Sequence, residues 1–418
     1  MGFYRLIDLT TYAERKNNEM KRAAVILLLT TLLFTLGLVP QAAADNNTAP
    51  DIESGIAEIN KHGNIVLTIS PESMIELGYE PADIISVKIG DAETEMPIGT
   101  NYSDVDIGNP ICCFKSSDTK GINVVVLAIN TGDFATTMGI AERRDCEEEP
   151  GYKWVYADGL EEPVTVRISM AEKQGYANEY LLHRISGTRT NNREDYAQLS
   201  DAEYANFRAV ETGGMGKGTL LRSSSPIDPV INRSKEADEA LLRAAGRTVM
   251  NMADSEEEMK KYPDFSLSYY AGCDVIALSM GMDCFSADFE EELAEGFRFL
   301  ASHDGPYLIH CREGKERTGF AAGILECLMG ADADEVVKDY MLTYYNYYGV
   351  EPGTEEYERI AGSNIETSLA KAFGIESVRA DGADLQSCAE TYLERIGMSR
   401  DEIDMLKSKL GEDCGGLS

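Results

Sequence analysis

Cys311 and Arg317 place a nucleophile and a guanidinium five residues apart, in the run Leu-Ile-His-Cys-Arg-Glu-Gly-Lys-Glu-Arg-Thr-Gly-Phe from Leu308 to Phe320. A loop of that length can curl so that successive backbone N–H groups converge on the oxygens of one phosphoryl dianion. The arginine then closes the ring with a planar fork matched to two of those oxygens. The sulfur sits beneath, aimed at phosphorus. A free thiol has a pKa of roughly 8.5, and helix N-termini and cations lower it by several units. One loop can therefore both bind the dianion and make the thiolate. The chemistry this suits is nucleophilic catalysis through a covalent intermediate.

The flanking text supplies the elements that hold such a loop. Tyr307 to Ile309 reads as a buried strand, and Phe320 to Met329 as an apolar helical stretch. A bare Cys-x5-Arg arises often by chance, but His-Cys-x-x-Gly-x-x-Arg-Thr-Gly between a strand and a helix does not. On these residues the chain resembles the tyrosine-phosphatase superfamily, and within it the bacterial tyrosine-phosphatase family with its dual-specificity and lipid-phosphatase-like members.

That resemblance implies roles. Cys311 is the nucleophile, and Arg317 with Arg312, Glu313, Gly314 and Lys315 binds the phosphoryl group. Thr318 stabilises the leaving thiolate, and His310 orients the loop. Leu220 to Pro226 is similar to the Arg-Ser segment that opens the family's catalytic domain, which makes Arg222 a supporting residue. After the next strand, Thr248 to Met250, the family's Asp-Leu-Arg is replaced by Asn251-Met252-Ala253-Asp254. Asp339-Tyr340-Met341-Leu342-Thr343 is similar to the family's stretch after the loop. Tyr392 to Gly397, before a last helix Ile403 to Leu410, is similar to its C-terminal ending. The resemblance covers about Gly218 to Leu410.

The general acid has two readings. Many relatives carry an aspartate upstream of the cysteine, for which Asp283 is the candidate, with Asp274 and Asp288 behind it. Some lipid-active relatives carry an acid just before the arginine, where Glu316 stands. The activity implied is that of a protein-tyrosine or dual-specificity phosphatase acting on a phosphorylated protein, without metal or other cofactor. Lys315, placed as in phosphoinositide phosphatases, keeps a phospholipid headgroup or another small phosphomonoester as the alternative substrate. An inactive phosphate-binding module is the alternative of another class.

The chain has 418 residues, 43% hydrophobic, with a net charge of -34. That is globular composition with length for two domains, and its acidity argues against nucleic acid as a partner. Met20-Lys21-Arg22, the apolar run Ala23 to Val39 and the small residues Ala42 to Ala44 read as an export signal ending before Asp45, with Met20 as the true start. The run falls short of the about 20 residues that a membrane span needs, and no second such segment follows. The expected location is secreted or at the cell surface. Nine cysteines are an odd number, so an exported chain leaves at least one unpaired, and an active enzyme requires Cys311 to be unpaired. Four histidines and no zinc-type spacing argue against a His-rich metal centre.

The expected architecture is an α/β catalytic domain, residues 196–418 with a central sheet flanked by helices, after a smaller mostly-β domain, residues 45–195. In the latter, Asn64 to Ile69, Ile84 to Ile89 and Asn123 to Ile129 are β-branched runs punctuated by Gly63, Gly90 and Gly132. Lys61 to Val66, with Ile129 to Asp133, resembles the β-barrel domain of S-adenosylmethionine-hydroxide adenosyltransferases. This implies a small barrel or sandwich acting as an accessory module, with His62 a turn or surface residue. Arg143 to Gly151 reads as a loop, Trp154 to Met170 as further strands, and Asp201 as the cap of a helix through Ala209. Gly213 to Gly218 lacks nucleotide-loop spacing and reads as a turn. Tyr270 to Ser279 reads as a strand. Asp288 with Glu291 reads as a capping box, ahead of a helix whose Phe289, Leu293, Phe297 and Leu300 share one face.

Overall fold

β-branched runs of five to eight residues bury one face each and need partners for both edges. In the N-terminal half they find them by closing on themselves. The computed structural model of the protein describes residues 49–116, 123–147 and 150–414. The expected export signal, residues 1–44, lies outside the described residues, as do Glu148 and Glu149 of the expected loop. Strands β1 (Ile52–Ile59), β2 (Ile65–Leu67), β3 (Ile84–Ile89), β4 (Ala92–Gly99), β5 (Pro110–Ser116), β6 (Asn123–Ile129) and β9 (Thr165–Glu172) form a closed barrel in the order β1-β2-β6-β5-β4-β3-β9. Ile85, Val87 and Ile89 of β3 and Val166 and Ile168 of β9 fill its interior at period two. Gly63 turns with a φ of +78°, and a Cβ there would collide with Asp133 Oδ1. His62 beside it is exposed.

Two strands sit outside the barrel. β7 (Ala141–Asp145) and β8 (Tyr152–Tyr156) form a hairpin. Arg143 to Asp145, expected in a loop, is therefore extended. The Arg143 guanidinium lies 4.0 Å over the Tyr152 ring, so a charged run is held in strand geometry by its aromatic partner strand. Trp154 Nε1 donates to Asn60 O at 3.1 Å and ties the hairpin to the barrel. Helix α1 (Ala177–Ser186) follows β9.

The C-terminal half is an α/β sandwich. The helix begun at Asp201 stops at Tyr204 rather than Ala209. Asn206 takes a φ of +54°, and Arg208–Ala209 becomes the short edge strand β10. Then come β11 (Leu220–Ser223), α2 (Ser234–Ala244), β12 (Thr248–Asn251), β13 (Asp274–Ala277), α3 (Ala287–Ser302) and β14 (Tyr307–His310). After the loop follow α4 (Glu316–Leu328), α5 (Ala333–Tyr348), α6 (Leu385–Arg395) and α7 (Arg400–Leu410). The sheet order is β10-β11-β14-β12-β13, parallel except for β10. Every residue of β11, β12 and β14 is buried, as a parallel sheet covered on both faces requires. Tyr307 and Ile309 face the larger core with Phe289, Leu293 and Phe297 of α3 and most of α4. Leu308 faces the smaller one with Leu241 of α2 and Tyr270.

Two further boundaries differ from expectation. The strand expected over Tyr270 to Ser279 shrinks to β13, because Tyr270 turns inward in a single 3-10 turn. The α3 cap is Ser286, whose hydroxyl accepts from the Phe289 N–H at 3.3 Å. Asp288 sits in the first turn instead, where its charge suits the helix dipole.

Candidate active site

β14 ends at His310, level with Ser223 of β11 and Asn251 of β12. The loop from Cys311 to Lys315 therefore opens at the carboxyl edge of three adjacent parallel strands and runs into the N-terminus of α4. This is where an open α/β sheet offers a crevice. Cys311 is 2% exposed and takes part in no disulfide.

The loop's carbonyls show how it is shaped. His310 O accepts from the Met252 N–H at 2.9 Å, and Arg312 O from the Ser225 N–H at 3.0 Å. Cys311 O accepts from His310 Nδ1 at 3.1 Å. Glu313 O accepts from the Tyr347 hydroxyl at 2.8 Å. Gly314 O accepts from Arg222 Nη2 at 2.9 Å. Lys315 O accepts from the Gly319 N–H at 2.8 Å. Asn206 Nδ2 adds bonds to Glu313 O and Gly314 O, both at 3.3 Å. Among the described residues the N–H groups of Arg312 to Arg317 donate to no protein acceptor. Because each peptide plane directs its C=O and N–H to opposite sides, pulling the carbonyls outward turns the amides inward as an anion nest. Gly314 has a φ of +67°, and a Cβ there would meet Ser223 O at 2.1 Å, so this position needs glycine.

Arg222 holds the loop from behind. It is fully buried, and its Nη1 pairs with Asp339 of α5. Asp339 also takes Arg208 Nε at 2.7 Å. Arg208 continues to Asn206 Oδ1 at 2.7 Å and Thr343 Oγ1 at 3.1 Å. Burial raises the Asp339 pKa, but Arg208 and Arg222 outweigh it and hold the carboxyl below its ordinary range. Glu326 of α4 lies beside this cluster with Oε1 unpartnered, and burial pushes its pKa well up.

His310 is buried, and burial lowers its pKa from 6.5 to about 4, so the ring is neutral. With Nδ1 donating to Cys311 O, Nε2 accepts from the Tyr270 hydroxyl at 2.9 Å. Arg317 Nη1 donates to the carbonyls of Met252 and Met280, both at 2.8 Å. Its Nε and Nη2 bond no protein group among the described residues and remain as a two-pronged donor. The segment that departs from the family's Asp-Leu-Arg thus contributes through its backbone. Asn251 Oδ1 accepts from the N–H groups of Ala253 and Asp254 and shapes that turn. Asp254 takes the Tyr262 hydroxyl at 2.7 Å. Thr318 Oγ1 is buried with no partner.

The other charged loop residues are paired. Arg312 Nε donates to buried Asp228 at 2.8 Å, although the arginine side chain is 55% exposed. Lys315 is nearly buried. Its ammonium reaches Glu316 at 2.9 Å, Glu313 at 3.3 Å and the Tyr348 hydroxyl at 2.8 Å. Burial would lower its pKa, but those three neighbours raise it above the ordinary lysine range. Glu313 also pairs with Arg189.

Asp283 and Glu316, the two acid candidates, line one cavity of about 370 Å³ with Phe285, Phe320, Tyr340 and Tyr344. Asp283 Oδ1 accepts the Phe285 N–H at 3.0 Å. Asp274 begins β13 level with Thr248, at the opposite edge of the sheet from the loop, and Asp288 is not among the cavity's lining residues. Sequence reasoning missed Arg189, Asn206 and Arg208, and the carbonyls of Met252 and Met280. Asp339 and Met252 lay in stretches already singled out. A backbone carbonyl leaves no mark in the residue alphabet. Among the described residues no group of three or more His, Cys, Asp or Glu side chains has metal-site geometry.

Comparison with known proteins bears on both halves of the chain. Residues 204–412 match the model of the tyrosine phosphatase family. Residues 55–147 match that of the SAM hydroxide adenosyltransferase C-terminal domain. A tyrosine-protein phosphatase from Nostoc commune is 35% identical over 124 residues, 28% of this chain and 42% of that one, so the match spans less than half of that relative. Solved structures with a likeness include TpbA of P. aeruginosa in complex with pTyr, with 19% identity, 46% of this chain and 93% of that one covered, and a TM-score of 0.29. The core catalytic domain of the PP-IP phosphatase SIW14 from S. cerevisiae, in complex with citrate, has 20% identity, coverage of 37% and 83%, and a TM-score of 0.25.

Proposed function

We propose a mechanism from one premise: the chain belongs to the tyrosine phosphatase family. It hydrolyses phosphomonoesters, phosphotyrosine foremost, in two steps. The Cys311 thiolate attacks phosphorus in line, and the ester P–O bond breaks as the leaving oxygen takes a proton. Water then attacks the cysteinyl phosphate, the P–S bond breaks, and inorganic phosphate leaves. Arg317 and the inward amides hold the three equatorial oxygens through both steps. The observation that carries this reading is the outward bonding of every loop carbonyl around a buried thiol. Thr318 Oγ1, buried without a partner, is available to donate to the sulfur as it leaves.

Asp283 is the proposed general acid. Glu316 lines the same cavity but gives an oxygen to Lys315. The paired state of Lys315 supports a phosphotyrosine substrate over a polyanionic lipid headgroup, because its ammonium is already engaged by Glu313, Glu316 and Tyr348 and is not left to read a second phosphate. The experiment is direct. Purified protein hydrolyses p-nitrophenyl phosphate in the presence of a chelator, and Cys311→Ser abolishes turnover. Turnover that survives this substitution rejects the mechanism, and absence of turnover in the wild type leaves an anion-binding module. Phosphotyrosine peptides and phosphoinositides compared on one preparation decide the substrate.

We also propose that residues 45–195 form an accessory module before a catalytic domain at 196–418, and that the chain is exported. The apolar run Ala23 to Val39 and the small residues before Asp45 support export. N-terminal sequencing of protein recovered outside a secreting host tests it, with Asp45 expected as the first residue and an uncleaved chain as the contrary result.

A further inference from the structure

A carboxylate on an anion-binding loop opposes the anion that loop serves, unless cations neutralise it. Glu313 is such a carboxylate. Its side chain is only 21% exposed, and it bridges two cations, Lys315 from within the loop and Arg189 from outside it. Arg189 lies ahead of residues 204–412, the stretch that matches the phosphatase family. It follows α1, in the segment that joins the barrel to the α/β half. The same guanidinium lies 5.8 Å over the ring of Tyr347, whose hydroxyl holds Glu313 O.

The segment around Arg189 is anchored on both sides. Toward the barrel, the Tyr176 N–H donates to Ala82 O at 2.9 Å, and the Tyr180 hydroxyl lies 3.1 Å from Thr100 Oγ1. Toward the α/β half, Asn191 Nδ2 donates to Val230 O at 3.1 Å, and Asn232 Nδ2 returns a bond to Asn191 O at 2.9 Å. The Tyr196 hydroxyl reaches Tyr347 O at 3.3 Å. Leu182 and Ser186 of α1 also line the cavity that holds Asp283 and Glu316.

We infer that Arg189 is a positioning residue of the phosphate loop: it neutralises Glu313 and fixes the loop's amides inward, so that the segment outside the family-matched region completes the site. The inference rests on the phosphatase reading for its ligand. Its test is built so that the two fail separately.

Inorganic phosphate is titrated by calorimetry into the full chain and into Arg189→Met, Arg189→Lys and the double variant Arg189→Met/Glu313→Gln. Amide hydrogen exchange is followed over residues 311–317 in each. Arg189→Met is expected to weaken phosphate binding about tenfold, within the range of coupling between contacting charged residues, and to speed exchange of the loop amides. Arg189→Lys keeps most of the affinity. The double variant recovers affinity to within about threefold of the wild type, because the charge that needed neutralising is gone. That recovery separates a charge-positioning role from simple loss of packing, which a second substitution would only deepen. Phosphate affinity and exchange in Arg189→Met equal to wild type, or a double variant weaker than the single one, overturn the inference. A wild-type chain without turnover refutes the phosphatase reading alone, and the exchange rates still decide Arg189.

Discussion

At the scale of single residues, burial decides the chemistry of His310. The unfolded chain protonates this side chain near 6.5, and the folded protein only near pH 4. Above pH 6.5 the ring is neutral in both states. As the pH falls from 6.5 toward 4 the unfolded state gains its proton first, so stability is lost in that window, by about 3 kcal/mol at the lower end. Urea midpoints followed from pH 7.5 to 4 are expected to fall less for His310→Asn than for the wild type, each taken relative to its own value at pH 7.5. Parallel slopes would show that the ring is not held neutral. Asp283 carries the second prediction at this scale. Asp283→Asn is expected to lower kcat on alkyl phosphates by about 10²-fold or more and to flatten the basic limb of the pH–rate profile. An aryl phosphate, with its better leaving group, loses less. If Glu316→Gln produces that signature instead, the acid is the loop glutamate.

At the scale of elements, the strand–loop–helix unit works because its surroundings hold the loop by its carbonyls. Gly314 is the tightest point, with its left-handed backbone packed on Ser223 O. Gly314→Ala is expected to cost turnover about 100-fold, since displacement of a reacting group by about 1 Å has that effect, while circular dichroism stays that of the wild type. Turnover near wild type would mean the loop is set elsewhere. Behind the loop, Asp339 on α5 satisfies two buried guanidiniums from β10 and β11. Asp339→Asn leaves both without their charge partner and is expected to cost about 3–5 kcal/mol in urea denaturation. A loss below about 1 kcal/mol would show that the Glu326 carboxyl beside them takes over the pairing. The expected and observed elements differ where a tertiary contact intervenes. Asn206 leaves the helix to reach two loop carbonyls and Thr343 Oγ1 of α5, and Arg143 enters a strand to stack on Tyr152.

At the scale of the whole molecule, a net charge of -34 belongs to a chain whose proposed substrate is a dianion. Lys315 and Arg312 are neutralised locally, so the long-range field at the site is that of an acidic protein. Peptide substrates with basic residues beside the phosphotyrosine are expected to show a lower KM than acidic ones. Raising salt through the about 10 Å screening length of 0.1 M should narrow that gap. KM values that do not depend on peptide charge or salt would place the controlling field within the loop itself. Among the described residues the closed barrel adds no strand to the α/β sheet, and the segment of α1 and Arg189 links it to the site.

What the residues alone determined was the local grammar. Cys311, Gly314, Arg317 and Thr318 stand at spacings that one loop can satisfy, between a buried strand and a helix start. The last helix was legible from Ile403 to Leu410, and the structure begins it at Arg400, after a Ser399 cap that pairs with Glu402. Tertiary structure alone decided which way the loop's amides point. That direction is imposed on its carbonyls by Asn206, Arg222, Ser225 and Tyr347 and on its charge by Arg189, and the Met252 and Met280 carbonyls hold Arg317 in the same way. Those partners come from distant parts of the chain. No local pattern records them, because a hydrogen bond to a backbone carbonyl constrains geometry without constraining the identity of the residue that owns it.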